Sequence, residues 1–91
     1  MHTMLCRNRV ESYTRWKQVF DSHTVAHRKA GLRLRHLWRD IEDPNNVYFI
    51  FEVMDMDRAR AFISDPASAA AGRAAGVLDG EVKFLVDANS D

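Results

Sequence analysis

The spacing of apolar positions switches repeatedly along the chain between two residues and about 3.6, and each switch marks an element. Residues 2–10 alternate, with Met4, Cys6 and Asn8 on one side and Arg7 and Arg9 on the other, which predicts a strand. From Glu11 or Ser12 to Lys29 the period is helical. Tyr13, Trp16, Val19, Phe20, His23, His27 and Ala30 share a stripe that Arg15, Lys17, Gln18, Asp21 and Arg28 avoid. Ser12 suits the N-cap and Gly31 the C-terminal stop of this one helix. Leu32 to Ile41 alternates again, placing Leu32, Leu34, His36 and Trp38 on one face and Arg33, Arg35, Leu37 and Arg39 on the other. Glu42-Asp43-Pro44-Asn45-Asn46 is turn chemistry, so this strand pairs antiparallel with the next in a hairpin.

That next strand, Val47 to Val53, is apolar on both faces except at Glu52. A second helix begins near Asp55 or Asp57 and runs to about Ser64, with Met56, Ala59, Phe62 and Ile63 facing inward. Asp65-Pro66 breaks it and opens a short alanine-rich helix that ends near Gly76. The small side chains of that helix supply little core. Glu81 to Asp87 forms the last strand, with Val82, Phe84 and Val86 on one face. The order β-α-β-β-α-β predicts an α+β, ferredoxin-like antiparallel sheet with the helices on one face, as a single domain over residues 1–91. The other face then carries Leu5, Leu37, Tyr48, Ile50 and Leu85 among charged residues. A mixed patch of that kind marks an interaction surface. The simplest cover is a second copy of the chain stacked through a two-fold axis, with Glu52 paired to Arg7, Arg9, Arg35 or Arg39.

Composition narrows the partners. The chain has 91 residues, is 46% hydrophobic and 29% charged, and balances 13 basic against 13 acidic residues. A neutral chain offers no general field for nucleic acid or an anionic membrane. No apolar run approaches the length of a bilayer span, and the first ten residues lack the pattern of a secretory signal. The one cysteine, Cys6, excludes an internal disulfide. A cytoplasmic protein is the expectation.

Several local patterns together resemble one family: Tyr13, Trp16, Lys17, Phe20 and Asp21 on the first helix; Gly31 and Arg33 at the entry to the second strand; Asp43-Pro44-Asn45 in the hairpin; and Ala75-Gly76-Val77 before the last strand. Over residues 3–87 the chain is similar to small bacterial proteins of the dimeric α/β-barrel superfamily, which includes antibiotic-biosynthesis-monooxygenase-like proteins and a branch of small cyclase-like ones. The resemblance implies two sheets packed into a dimeric barrel and, in each subunit, a ligand cleft between helices and sheet. Carried over by strand parity, that cleft takes Cys6 and Asn8, then Trp16, Phe20, His23 and His27, then His36 and Trp38, and finally Phe49 and Phe51. The haem-degrading branch uses a histidine and a tryptophan near the second helix; residues 55–76 contain neither, which argues against haem.

His23, His27 and His36 are the candidate acid–base groups, because histidine titrates near neutrality. The plainer reading of His23 and His27 is that they edge the buried stripe, bonded to backbone or water. As metal ligands they lack a third partner, so no metal is expected. Asn8 fits either an oxyanion donor or a strand-end group bonded to backbone. Trp16, Phe20, Trp38, Phe49 and Phe51 fit an aromatic wall for a flat ligand, or ordinary core. Cys6 has no adjacent base and reads as a small buried filler. Three functions remain: a cofactor-independent monooxygenase- or cyclase-like enzyme acting on an aromatic or polyketide-like molecule; a non-catalytic small-molecule-binding homodimer; and an interaction module using its sheet face. None calls for a cofactor.

Overall fold

Residues 2–10 become the strand β1 (His2–Val10), which lies between two neighbours in a four-stranded antiparallel sheet. The computed structural model describes residues 1–89, so Ser90 and Asp91 of the expected domain lie outside the described residues. The first helical stretch is two helices, α1 (Tyr13–Ser22) and α2 (Thr24–Lys29). The hairpin strands are β2 (Leu32–Arg39) and β3 (Asn46–Val53). After them come α3 (Met56–Ser64), α4 (Pro66–Ala74) and β4 (Val77–Val86). The sheet order is β2-β3-β1-β4, the ferredoxin-like arrangement, and the sheet is open, with β2 and β4 as its edges.

Three of the helices start where a short polar side chain caps them. Ser12, Asp55 and Asp65 accept from the backbone N–H of Arg15, Arg58 and Ala67, and Pro66 opens α4. Gly31 and Gly76 take the positive φ that ends α2 and α4, at 72° and 76°. The expected single helix over residues 11–29 is interrupted at His23. Local side chains compete for the carbonyls there: Ser22 Oγ donates to the Val19 carbonyl at 2.6 Å and Thr24 Oγ1 to that of Asp21 at 2.8 Å. The last strand begins four residues earlier than expected, at Val77 rather than Glu81.

The core lies on one face of the sheet. Met4, Cys6, Val10, Leu32, Val47, Phe49, Phe51 and Val53 from the strands meet Trp16, Ala30, Ala59 and Ala75 from the helical layer. Burying a side chain such as Phe51 or Val47 stabilises the fold by about 1.5–3 kcal/mol. No polar or charged residue is buried among those described.

One expectation fails at β2. Pairing with β3 runs Leu32 to Val53 and Leu34 to Phe51, but then His36 to Ile50, Leu37 to Phe49 and Trp38 to Tyr48. Arg35 is an extra residue at a β-bulge, and it inverts the parity of everything after it. Leu37 and Arg39 therefore turn to the helix side. Leu37 packs against the core, and the Arg39 guanidinium lies 3.9 Å from the centre of the Tyr13 ring. His36 and Trp38 turn to the outer face and stack on each other at 4.9 Å.

The outer face carries Leu5, Tyr48, Ile50, Leu85, His36 and Trp38, and most of its charges pair within the chain, Arg33 and Lys83 making no ion pair among the described residues. Arg7 and Arg9 hold Asp79, Arg7 also reaches Glu81, and Arg35 Nη1 stands 3.3 Å from Glu52 Oε2. Among the described residues no helix is long and apolar enough to cross a membrane.

Candidate functional site: a cavity between helices and sheet

A cavity of about 720 Å³ opens between the helical layer and the inner face of the sheet. It exists because α4 is built from small residues. Ala67, Ala71, Gly72 and Ala75 line its roof and reach too short a distance to fill the space above β1. Val82 lines the β4 side and stays 44% exposed, although its face of the strand points to the core.

The opposite wall is aromatic. Trp16 stacks on Phe20 at 4.7 Å, and Phe20 meets the edge of Phe49 at 5.2 Å. The His27 ring lies 5.0 Å from Phe20, 5.0 Å from Phe51 and 5.7 Å from Phe62. Such rings present flat polarisable faces together with polar edges, which suits a planar unsaturated ligand.

Asn8 and Trp16 form one unit. With its amide oriented to satisfy both ends, Asn8 Oδ1 accepts from the Trp16 indole N–H at 3.2 Å and Nδ2 donates to the Arg7 carbonyl at 3.0 Å. Asn8 thereby fixes the indole of the wall. Gly80 stands opposite Asn8 on β4, and a Cβ there would lie 2.8 Å from both the Arg7 carbonyl oxygen and the Asn8 amide. Glycine at this position is what lets the amide fold over the strand.

The two histidines of the lining differ in chemistry. His23 Nδ1 lies 2.8 Å from the Val19 carbonyl, and a carbonyl only accepts, so Nδ1 carries the proton and Nε2 of the neutral ring is left as an acceptor. Imidazole held in this way is arranged to take a proton. His27 is half-buried and its ring makes no hydrogen bond among the described residues. Burial in the apolar wall, helped by the nearby His23, lowers its pKa to about 4. It is neutral at pH 7 and offers one donor and one acceptor to a guest. Cys6 lies at the floor, where burial pushes its thiol up to about 12, so it is no nucleophile at neutral pH.

Of the residues expected in the cleft, Cys6, Asn8, Trp16, Phe20, His23, His27, Phe49 and Phe51 line the cavity. His36 and Trp38 do not, because the Arg35 bulge sends them to the other face. Among the lining residues not foreseen are Met4, Phe62, Val82, Lys29, Arg58 and the small residues of α4. Their signal was present in part: an alanine-rich helix over an aromatic sheet face leaves volume that nothing else in so short a chain can fill. Among the described residues no three His, Cys, Asp or Glu side chains gather to hold a metal ion.

No family model and no curated protein matches the sequence. Solved structures do match over nearly the whole chain. A mutant of SnoaB, a cofactor-independent oxygenase from Streptomyces nogalater, superimposes with a TM-score of 0.71 at 20% identity, covering 94% of this chain and 91% of that one. An antibiotic biosynthesis monooxygenase-like protein from Bordetella bronchiseptica gives 0.75 at 12% identity, with 96% of each chain covered. An uncharacterized NIPSNAP domain protein from Burkholderia xenovorans gives 0.66 at 20%, covering 97% and 95%. The fold is that of the antibiotic biosynthesis monooxygenase-like proteins. At such identities the match describes architecture alone, and chemistry has to be argued from the cavity.

Proposed function

We propose that this chain is a homodimeric pocket protein that takes up a planar aromatic or polyketide-like molecule and acts on it as a cofactor-independent monooxygenase- or cyclase-like enzyme. The open aromatic cavity with two histidines in its lining carries this reading. In the oxidative version, His23 Nε2 removes a proton from an activated C–H of the bound ligand. The resulting carbanion gives an electron to dioxygen, and recombination forms a C–O bond as a peroxide. Loss of water from the peroxide leaves a carbonyl, so one oxygen atom ends in product and the other in water. In the cyclising version the same carbanion attacks a carbonyl of the same molecule. Neutral His27 donates a hydrogen bond to the oxygen on which charge collects.

A second reading, binding without turnover, draws on the same cavity and on the inertness of its other groups: His27 is a weak base and Cys6 a protonated thiol. Oxygen uptake with an enolisable polycyclic ketone such as an anthrone separates oxidative turnover from binding alone. The oxidative version predicts uptake stoichiometric with ketone consumed, and loss of about 10²–10⁴-fold in rate in His23→Ala, as for removal of a general base. Saturable binding without uptake removes the oxidative version and leaves the cyclising version and the carrier. Absence of binding by any planar aromatic removes both.

A further inference from the structure

Two cations share one edge of the cavity. Lys29 ends α2 and Arg58 stands in the first turn of α3, and both line the opening. The segments that carry them touch: the Met54 N–H donates to the Gly31 carbonyl at 2.7 Å, and a Cβ at Gly31 would lie 3.2 Å from that of Asp55. Like charges held on adjoining turns repel each other unless an anion compensates them.

Compensation from within the chain is incomplete. Arg58 Nε is 3.5 Å from Asp55 Oδ2, while Asp55 Oδ1 caps the helix by accepting from the Arg58 backbone N–H at 3.1 Å. Lys29 makes no ion pair among the described residues. Asp65 is the one carboxylate of the lining, and its Oδ1 accepts from the Ala67 N–H at 2.9 Å as the cap of α4. Deeper in, the wall is aromatic and aliphatic, where an unpaired charge is costly.

We propose that Lys29 and Arg58 form an anion subsite at the mouth of the cavity, so that its preferred guests are planar aromatic molecules bearing a carboxylate at one end. The proposal rests on the reading of the cavity as an aromatic pocket. The neutral ring system enters against Phe20, Phe49 and Phe51, and the carboxylate stays at the rim. There the arginine fork and the lysine ammonium meet it while water still solvates it.

The test uses the Trp38→Phe chain, in which Trp16 is the sole tryptophan, and reads quenching of its emission by anthracene-2-carboxylate and by the neutral anthracene-2-carboxamide. The carboxylate is expected to bind about tenfold more tightly at low ionic strength, an advantage that added salt erodes. Lys29→Gln combined with Arg58→Gln is expected to abolish that advantage and leave the carboxamide affinity unchanged. Both side chains are exposed, so the double variant keeps the fold. Equal affinity for the two probes in the parent chain overturns the subsite and spares the pocket. So does a preference for the carboxylate that survives in the double variant. Saturable quenching by neither probe overturns the subsite together with the pocket.

Discussion

His27 is the residue at which folding and ligand chemistry meet. Its pKa falls to about 4 in the folded chain because an imidazolium would lose water against Phe20, Phe51 and Phe62. The sign of the consequence follows from linkage. The unfolded chain takes up the proton near pH 6.5, the folded chain only near 4, so between these values the unfolded state binds more protons. The contribution of His27 to stability is therefore whole above pH 6.5 and is lost as pH falls through that window, the loss complete only below about 4. Thermal melts of the parent chain and His27→Phe are expected to diverge there: the parent loses more of its melting temperature on going from about pH 7 to about pH 4. Nitrogen NMR of the imidazole checks the cause directly, by showing a neutral ring at about pH 5.5, between the two pKa values. A ring already protonated at that pH removes this account of the wall.

At the scale of elements, α4 decides whether there is a site at all. Its inward positions are alanine, glycine and serine, so the roof stands over β1 without filling the gap. Ala71→Leu is expected to stabilise the fold by about 0.5–2 kcal/mol by filling empty volume, and to weaken binding of a planar aromatic probe. Calorimetry of the variant with and without probe checks both effects, and unchanged affinity places the guest elsewhere. Much of this layer was legible in the sequence. The order of elements, the even-numbered inner face of β1, the odd-numbered inner face of β3 and the Asp65-Pro66 joint all follow from periodicity and capping. What periodicity cannot supply is an irregularity. The Arg35 bulge adds a residue within an unbroken alternating pattern, so His36 and Trp38 carry the wrong parity although the strand itself is real. His23 divides α1 from α2 through hydroxyl bonds of Ser22 and Thr24 that the apolar stripe does not register. The subdivision matters for chemistry, because it sets His23 Nδ1 on the Val19 carbonyl and leaves Nε2 as the acceptor.

For the whole molecule the open question is the outer face of the sheet. The helices lie on one side, and the other presents Leu5, Tyr48, Ile50 and Leu85 together with the His36–Trp38 stack. The bulge thus enriches this face with the two rings it withdraws from the cavity. The molecule measures 40 × 30 × 18 Å along its principal axes, so its broad side exceeds the roughly 800 Å² per partner that a stable interface uses. Glu52, whose side chain is only 14% exposed, is already neutralised by Arg35, and Arg7 by Asp79 and Glu81, so the cations of this face that a second copy would meet unpaired are Arg33 and Lys83. Ile50 pairs with Leu5 near the middle of the face, which makes it the position to charge. Ile50→Asp is expected to convert the proposed dimer into a monomer, since an uncompensated buried carboxylate costs about 3–5 kcal/mol per copy. Its circular dichroism should stay that of the parent, because the side chain lies outside the core. Sedimentation velocity reads the outcome. A parent chain that already sediments as a monomer at micromolar concentration would leave this face to a partner other than itself.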